Sequence, residues 1–267
     1  MTDQLLEKVE DGVATLTLNN PTALNALTRE IRGGLIGALH RHAGDRAVRA
    51  VVVTGAGRAF CAGGDVNEFA DFAPSDEESG FDVEGQAYGL RANTEIVRLL
   101  HEMPKPTVAV IPGPAAGAGF SIAMACDFRI AAADAKLTTA FARVGLSGDY
   151  GGAFFLTQLV GAAKARELYL TADVITGAEA EKLGLVNKAV PEEVLSAEAQ
   201  KLIEKLAGGP TIAMGYMKRN LNAALRGSLK DVLDLEALHM IRTFMTEDHK
   251  AAAKAYLEKR APSFKGH

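Results

Sequence analysis

The positions of Val13–Leu18 alternate in character: Ala14, Leu16 and Leu18 fall on one side, Val13, Thr15 and Thr17 on the other. This two-residue period predicts a strand with one face buried more deeply than the other. Leu5–Glu10 precedes it across Asp11-Gly12, a strong signal for the tight turn of a hairpin. Asn19-Asn20-Pro21 ends the strand. Thr28 is a suitable N-cap, and a helix is predicted from there to about His42. Arg49–Thr54 then carries Val51-Val52-Val53, a β-branched run of the kind found in a buried strand.

Gly55–Gly64 contains four glycines and reads as a shaped loop. Residues 68–85 are acidic and rich in turn formers, which predicts a solvated, mobile segment. A helix is predicted from about Gly85 to His101, followed by rigid punctuation at Met103-Pro104-Lys105-Pro106. Thr107–Ile111 predicts a second buried strand. Ala115–Ala125 predicts a helix of small residues whose backbone another group can approach closely. Asp127–Ala131 and Val186–Val190 are further predicted strands, with a helix after Gly151-Gly152 between them. From about Pro191 the period is helical, broken near Gly208-Gly209-Pro210 and Gly227. Strands alternating with helices over two thirds of the chain, then a helical tail, predict an α/β fold.

Composition narrows the classes. The 267 residues are 48% hydrophobic and 23% charged, ordinary for a globular chain able to bury a core without disulfides or metals. A net charge of -4 argues against nucleic acid and against a membrane surface. No apolar stretch reaches the roughly 20 residues of a membrane span. Met1-Thr2-Asp3-Gln4 opens no signal peptide. Cys61 and Cys126 lack CxxC spacing and read as reduced thiols, so the expected compartment is cytoplasmic. The six histidines form no HExxH pattern or comparable cluster, and no metal is expected.

Two segments share the same chemical character. Gly55–Asp65 follows a buried strand and opens into what reads as a short helix at Val66. Thr107–Ile111 leads into Gly113-Pro114-Ala115-Ala116-Gly117-Ala118-Gly119 and another helix. Backbone amides at such helix N-termini can point at an anion or a carbonyl oxygen. Two of them converging on one carbonyl make an oxyanion hole. A dinucleotide fingerprint starting at Gly55-x-Gly57 fails because Phe60 stands where the third glycine belongs. Gly119-Phe120-Ser121-Ile122-Ala123 lacks one glycine of a nucleophile elbow, and no suitable His follows.

These motifs resemble, in order, those of the enoyl-CoA hydratase/isomerase (crotonase) superfamily. Asn20-Pro21 through Ala23-Leu24-Asn25-Ala26-Leu27 resembles its N-terminal signature. Gly55–Asp65 and Gly113–Asp127 resemble its two oxyanion segments. Gly145–Gly152 resembles its third active-site stretch, and Tyr256-Leu257-Glu258-Lys259-Arg260 the end of its last helix. The resemblance implies a spiral of ββα units over residues 1–195 and a helical oligomerisation region over 196–267, in a homotrimer or a dimer of trimers. It implies an acyl-CoA thioester as substrate, with no cofactor beyond the coenzyme A that the substrate carries. It also implies the amides of Ala62 and Ala118 as oxyanion donors. Ala23, Ala62, Asp65 and Val66 would follow the adenine and pantetheine of CoA. Tyr256 and Lys259 would reach a neighbouring subunit's CoA; for Lys259 a plain surface role is the alternative.

The reaction is decided by acidic residues. Hydratases of this superfamily carry two glutamates that handle the added water; Ser121 and Phe141 stand at those positions here. Adding water requires groups that activate it and deliver a proton, which neither residue supplies alone. One acid remains in the matching loop, Asp149, placed as in the ring-1,2-epoxyphenylacetyl-CoA isomerase and dienoyl-CoA isomerase branches. A single carboxylate suffices to move a proton between carbons through an enolate, and partial burial would raise its pKa towards working pH. The other role open to Asp149 is to cap the following helix. Three further readings stay open: a hydratase drawing its acid from Glu68 or Asp71, nucleophilic attack by Asp149, and a non-catalytic acyl-CoA-binding protein. Phe69, Phe72, Tyr88, Phe141 and Tyr150 are candidates for an apolar acyl pocket, or for core.

Overall fold

The computed structural model describes residues 3–65 and 82–267. Strands β1 (Leu5–Glu10) and β2 (Val13–Leu18) pair antiparallel. Asp11 and Gly12 both have positive φ, 48° and 77°, the backbone of the tight turn that this dipeptide predicts. Helix α1 (Arg29–Gly44) starts where Thr28 Oγ1 accepts the Ile31 amide at 3.3 Å. It returns the chain to β3 (Ala50–Gly55), parallel to β2 and buried over Ala50–Val53.

The helix predicted from about Gly85 to His101 is two helices, α2 (Val83–Asn93) and α3 (Glu95–Glu102). Thr94 separates them: its hydroxyl donates to the Arg91 carbonyl at 2.8 Å, and such local side-chain bonds compete with the helical ladder. Only α3 buries residues, among them Ile96 and Leu100. Strand β4 (Thr107–Ile111) lies parallel to β3. The small-residue helix starts later than predicted. Ala115–Ala116 form β5, Gly117 breaks at φ 52°, and α4 runs Ala118–Ala125 with every residue buried.

Strand β6 (Phe128–Ala132) pairs parallel with β4, and β7 (Lys136–Thr138) with β5. Helix α5 (Gly152–Thr171) is interrupted at Gly161, whose φ and ψ of 75° and 164° are not helical. β8 (Ile175–Thr176), α6 (Gly177–Lys182) and β9 (Lys188–Val190) complete the layers. The main sheet has the order β1-β2-β3-β4-β6-β9, parallel from β2 onward; the smaller one has the order β5-β7-β8. Each parallel pairing requires a crossover, and the crossovers wind the chain into the α/β spiral that the resemblance implies.

Helices α7 (Glu192–Ala207), α8 (Thr211–Ala224), α9 (Leu229–Phe244) and α10 (Glu247–Leu257) follow. The division drawn at residue 195 falls inside α7, whose Leu195, Ala199 and Ile203 belong to the same core as the sheet. The later helices leave Leu229, Leu233, Met240, Ile241 and Phe244 exposed. Cys61 and Cys126 are free and buried, and burial pushes both thiols up to about 12. Among the described residues no helix is long and apolar enough to cross a membrane.

One buried amide ties the N-terminal signature to the glycine loop. Asn25 Nδ2 donates to Ala56 O at 3.0 Å and Ala59 O at 2.8 Å, and Oδ1 accepts the Asn20 amide at 2.9 Å. Asn25→Ala strands these groups away from water and should cost about 2–4 kcal/mol in urea unfolding. A loss below about 0.5 kcal/mol would show that solvent replaces the bonds.

Candidate active site

Two strand ends meet to build the site. The loop after β3 pairs with the start of β5: Cys61 N–H donates to Pro114 O at 3.2 Å and Ala116 N–H to Cys61 O at 2.9 Å. Gly63, at φ +97°, lies so close that a Cβ there would stand 2.8 Å from Ala116 O and 3.6 Å from the Ala118 nitrogen. Ala118 opens α4, so its amide is one of the helix donors without an intrahelical acceptor. The positive end of the helix dipole adds to it.

The partner amide is not the one the resemblance implies. Ala62 N–H already donates to Leu24 O at 2.9 Å, which corrects its assignment as an oxyanion donor. Gly63 N–H faces Cys61 Sγ at 3.5 Å. Among the described residues no backbone carbonyl accepts the N–H of Gly64 or of Ala118. Of Ala62, Gly63 and Gly64, Gly64 is therefore the one whose amide has no acceptor among the described residues. The Ala62–Leu24 bond joins segments that motif order alone does not bring together.

Asp149 lies in the loop leading to α5. It does not cap that helix: Gly151 is the N-cap, at φ 70°, and no side chain bonds the first turn. The carboxyl instead has Oδ1 buried with no hydrogen-bond partner. Burial alone pushes its pKa from 3.8 up to about 6. Ser121 is 1% exposed and donates to Gly117 O at 3.1 Å. Phe141 is buried and stacks on Tyr169, ring centres 5.8 Å apart. Neither can act as an acid here.

Of the other aromatic residues read as pocket or core, Tyr150 is buried core and Tyr88 is 79% exposed. Phe69, Phe72, Glu68 and Asp71 lie outside the described residues. An open groove of about 400 Å³ runs beside the loop instead, lined by Val97, His101, Gly151, Phe154 and Phe155. His101 packs edge-on against Phe154 and Phe155, and burial, then Lys218, lowers its pKa.

The chain matches the family described as Enoyl-CoA hydratase/isomerase over residues 8–267. It belongs to the enoyl-CoA hydratase/isomerase family. The 1,2-epoxyphenylacetyl-CoA isomerase of Escherichia coli K12 is 36% identical over 267 residues, covering 100% of both chains. The short-chain-enoyl-CoA hydratase of Clostridium acetobutylicum is 34% identical, covering 96% of this chain and 95% of its own. The crystal structure of an enoyl-CoA hydratase from Polaromonas sp. JS666 superposes with a TM-score of 0.89 at 33% identity, covering 97% of this chain and 99% of that one.

Within this hydratase/isomerase frame, the residues read as a CoA path divide. Leu24 O accepts the Ala62 amide, so Ala23 and Ala62 flank one seam, with half-buried Asp65 three residues beyond Ala62. Val66 lies outside the described residues. Tyr256, 84% exposed, and Lys259, in left-handed backbone just after α10, stand at the end of the chain's last helix.

The raised Asp149 pKa fixes a sign. The folded state holds this proton more tightly than the unfolded chain, so folding is favoured below 3.8 and loses that favour as pH rises through about 6. Asp149→Asn, neutral and nearly isosteric, should therefore stabilise the protein at pH 8 by about 1–2 kcal/mol after allowance for partial solvent contact. In urea titrations the gain should fade as pH falls through about 6. A wild type more stable than the variant at pH 8 would contradict the burial.

Proposed function

We propose that the protein is an isomerase of enoyl-CoA thioesters that moves a proton, and with it a double bond, through an oxyanion-stabilised enolate. The observation that carries this reading is the buried, unpartnered Asp149 oxygen on a carboxyl whose pKa is about 6. A base near working pH both takes and returns a proton.

The thioester carbonyl would accept from the Ala118 and Gly64 amides. The Asp149 carboxylate would take a proton from one carbon of the acyl chain, and the electron pair left behind would delocalise onto the thioester oxygen. Donors aimed at that developing charge stabilise the enolate more than the ground state. The Asp149 carboxyl, its proton exchanging with solvent, would then deliver a proton two carbons along, so that the double bond shifts and no atom is gained or lost. An acyl group carrying a ring is a second substrate class, favoured by the name of the E. coli relative.

Hydration is the competing reading, favoured by the name of the C. acetobutylicum relative. A buried Phe141 ring and a Ser121 hydroxyl held by Gly117 O leave it without its second acid. An acyl-CoA-binding protein without catalysis would have no use for a buried acid with a raised pKa. Ala23, Ala62 and Asp65 are proposed to flank the CoA moiety. The exposed apolar side chains of α9 are proposed as a self-association face of a trimer or dimer of trimers, in which Tyr256 and Lys259 approach a neighbour's CoA.

Incubation with trans-2- and trans-3-enoyl-CoA in D₂O, with product analysis, tests this. Double-bond migration with deuterium at the α- or γ-carbon and no 3-hydroxyacyl product is expected. Rapid 3-hydroxyacyl-CoA formation would overturn it in favour of hydration, and tight binding with no exchange would point to a binding protein.

A further inference from the structure

Asp149 Oδ1 is a buried acceptor without a donor, and such groups are rare in folded proteins. Two hydroxyls lie near the loop that carries it. A Cβ built on Gly152 would stand 2.6 Å from Ser121 Oγ and 3.2 Å from Tyr169 Oη; one on Gly148 would stand 2.0 Å from Tyr169 Oη. The absence of side chains at Gly148 and Gly152 is therefore what admits the phenol.

The two hydroxyls differ in what they can give. The Ser121 O–H is committed to Gly117 O, as a residue one turn up a helix often is. Tyr169 stands on α5 beyond the Gly161 break, its ring stacked at 28° on Phe141. That stack aims the phenol from the position where hydratases of the superfamily carry an acid. Burial, then the Asp149 charge, raises the Tyr169 pKa, so the phenol stays protonated and available as a donor.

We propose that Tyr169 is a positioning residue for Asp149, its O–H donating to the carboxyl once that group ionises, with or without substrate, and fixing which oxygen faces the acyl chain. The proposal rests on Asp149 as the proton carrier. No charged side chain shifts Asp149, the Ser121 hydroxyl of α4 is committed to Gly117 O, and the charges acting on His101 of α3 are Lys218, Asp127, Arg226 and Glu102.

Tyr169→Phe keeps the ring and its stack and removes only the hydroxyl. The primary readout is the midpoint of the Asp149 carboxyl in the resting protein, from ¹³C NMR of aspartate-labelled enzyme assigned with Asp149→Asn. A donor to the ionised form lowers a carboxyl pKa, so Tyr169→Phe should raise the midpoint by about half a unit or more. Turnover should fall about ten- to a hundredfold with KM within about twofold, since misplacing the base leaves binding intact. An unmoved midpoint overturns the proposal. Because the midpoint needs no substrate, it is independent of whether the reaction is isomerisation. Should Tyr169→Phe not fold, site-specific 3,5-difluorotyrosine at position 169 supplies a stronger donor. It should lower the midpoint, and no shift would again overturn the proposal.

Discussion

Asp149 places a carboxyl where one oxygen has neither water nor a donor, and the surrounding structure must hold it there. A carboxyl free to turn would find solvent and return towards its ordinary pKa. Its position follows from the backbone around it. Tyr150, buried at φ 50°, and Gly151, at φ 70°, form a left-handed pair that ends in the α5 N-cap. Tyr169 packs against Gly148 and Gly152, Ser121 against Gly152, and Phe141 stacks on Tyr169. The buried Phe141 ring and the committed Ser121 hydroxyl bring no charge to the loop.

The amides opposite depend on a different constraint. Chain segments far apart in sequence are laced onto the glycine loop through its amides and carbonyls. Ala62 bonds Leu24, Cys61 bonds Pro114, and Leu27 bonds Gly63, while Asn25 holds the loop from beneath. Among Ala62, Gly63 and Gly64, the N–H left without an acceptor among the described residues is that of Gly64. In the proposed reading the Gly64 and Ala118 amides form the oxyanion hole, and donors fixed by such a seam need no reorganisation when charge appears.

Local features were legible in the chain. Asp11-Gly12, the valine run of β3, the Thr28 cap and the breaks before α8 and α9 act over a few residues, and each is where the pattern places it. The short strands β5, β7 and β8 were not legible, because two or three residues carry no period and their pairing is set by distant partners. The Thr94 break depends on one side-chain bond inside an otherwise continuous helical pattern. The site divides the same way. Ala118 and Asp149 are proposed from motif order, whereas preferring Gly64 to Ala62 requires knowing which amides are already bonded. Tyr169 looks in sequence like any residue of a long helix, and only the folded chain brings it to Gly148.

Stability and chemistry pull against each other at Asp149, as they commonly do at buried acids. The account stands or falls on whether this carboxyl moves the substrate proton. The most direct measurement is the rate of solvent-deuterium exchange at the acyl α- and γ-carbons by Asp149→Asn, with acyl-CoA binding verified for the same protein. Loss of exchange by a factor of about 10² or more with binding retained is the predicted result. Exchange at the wild-type rate would contradict it and place the proton on another group.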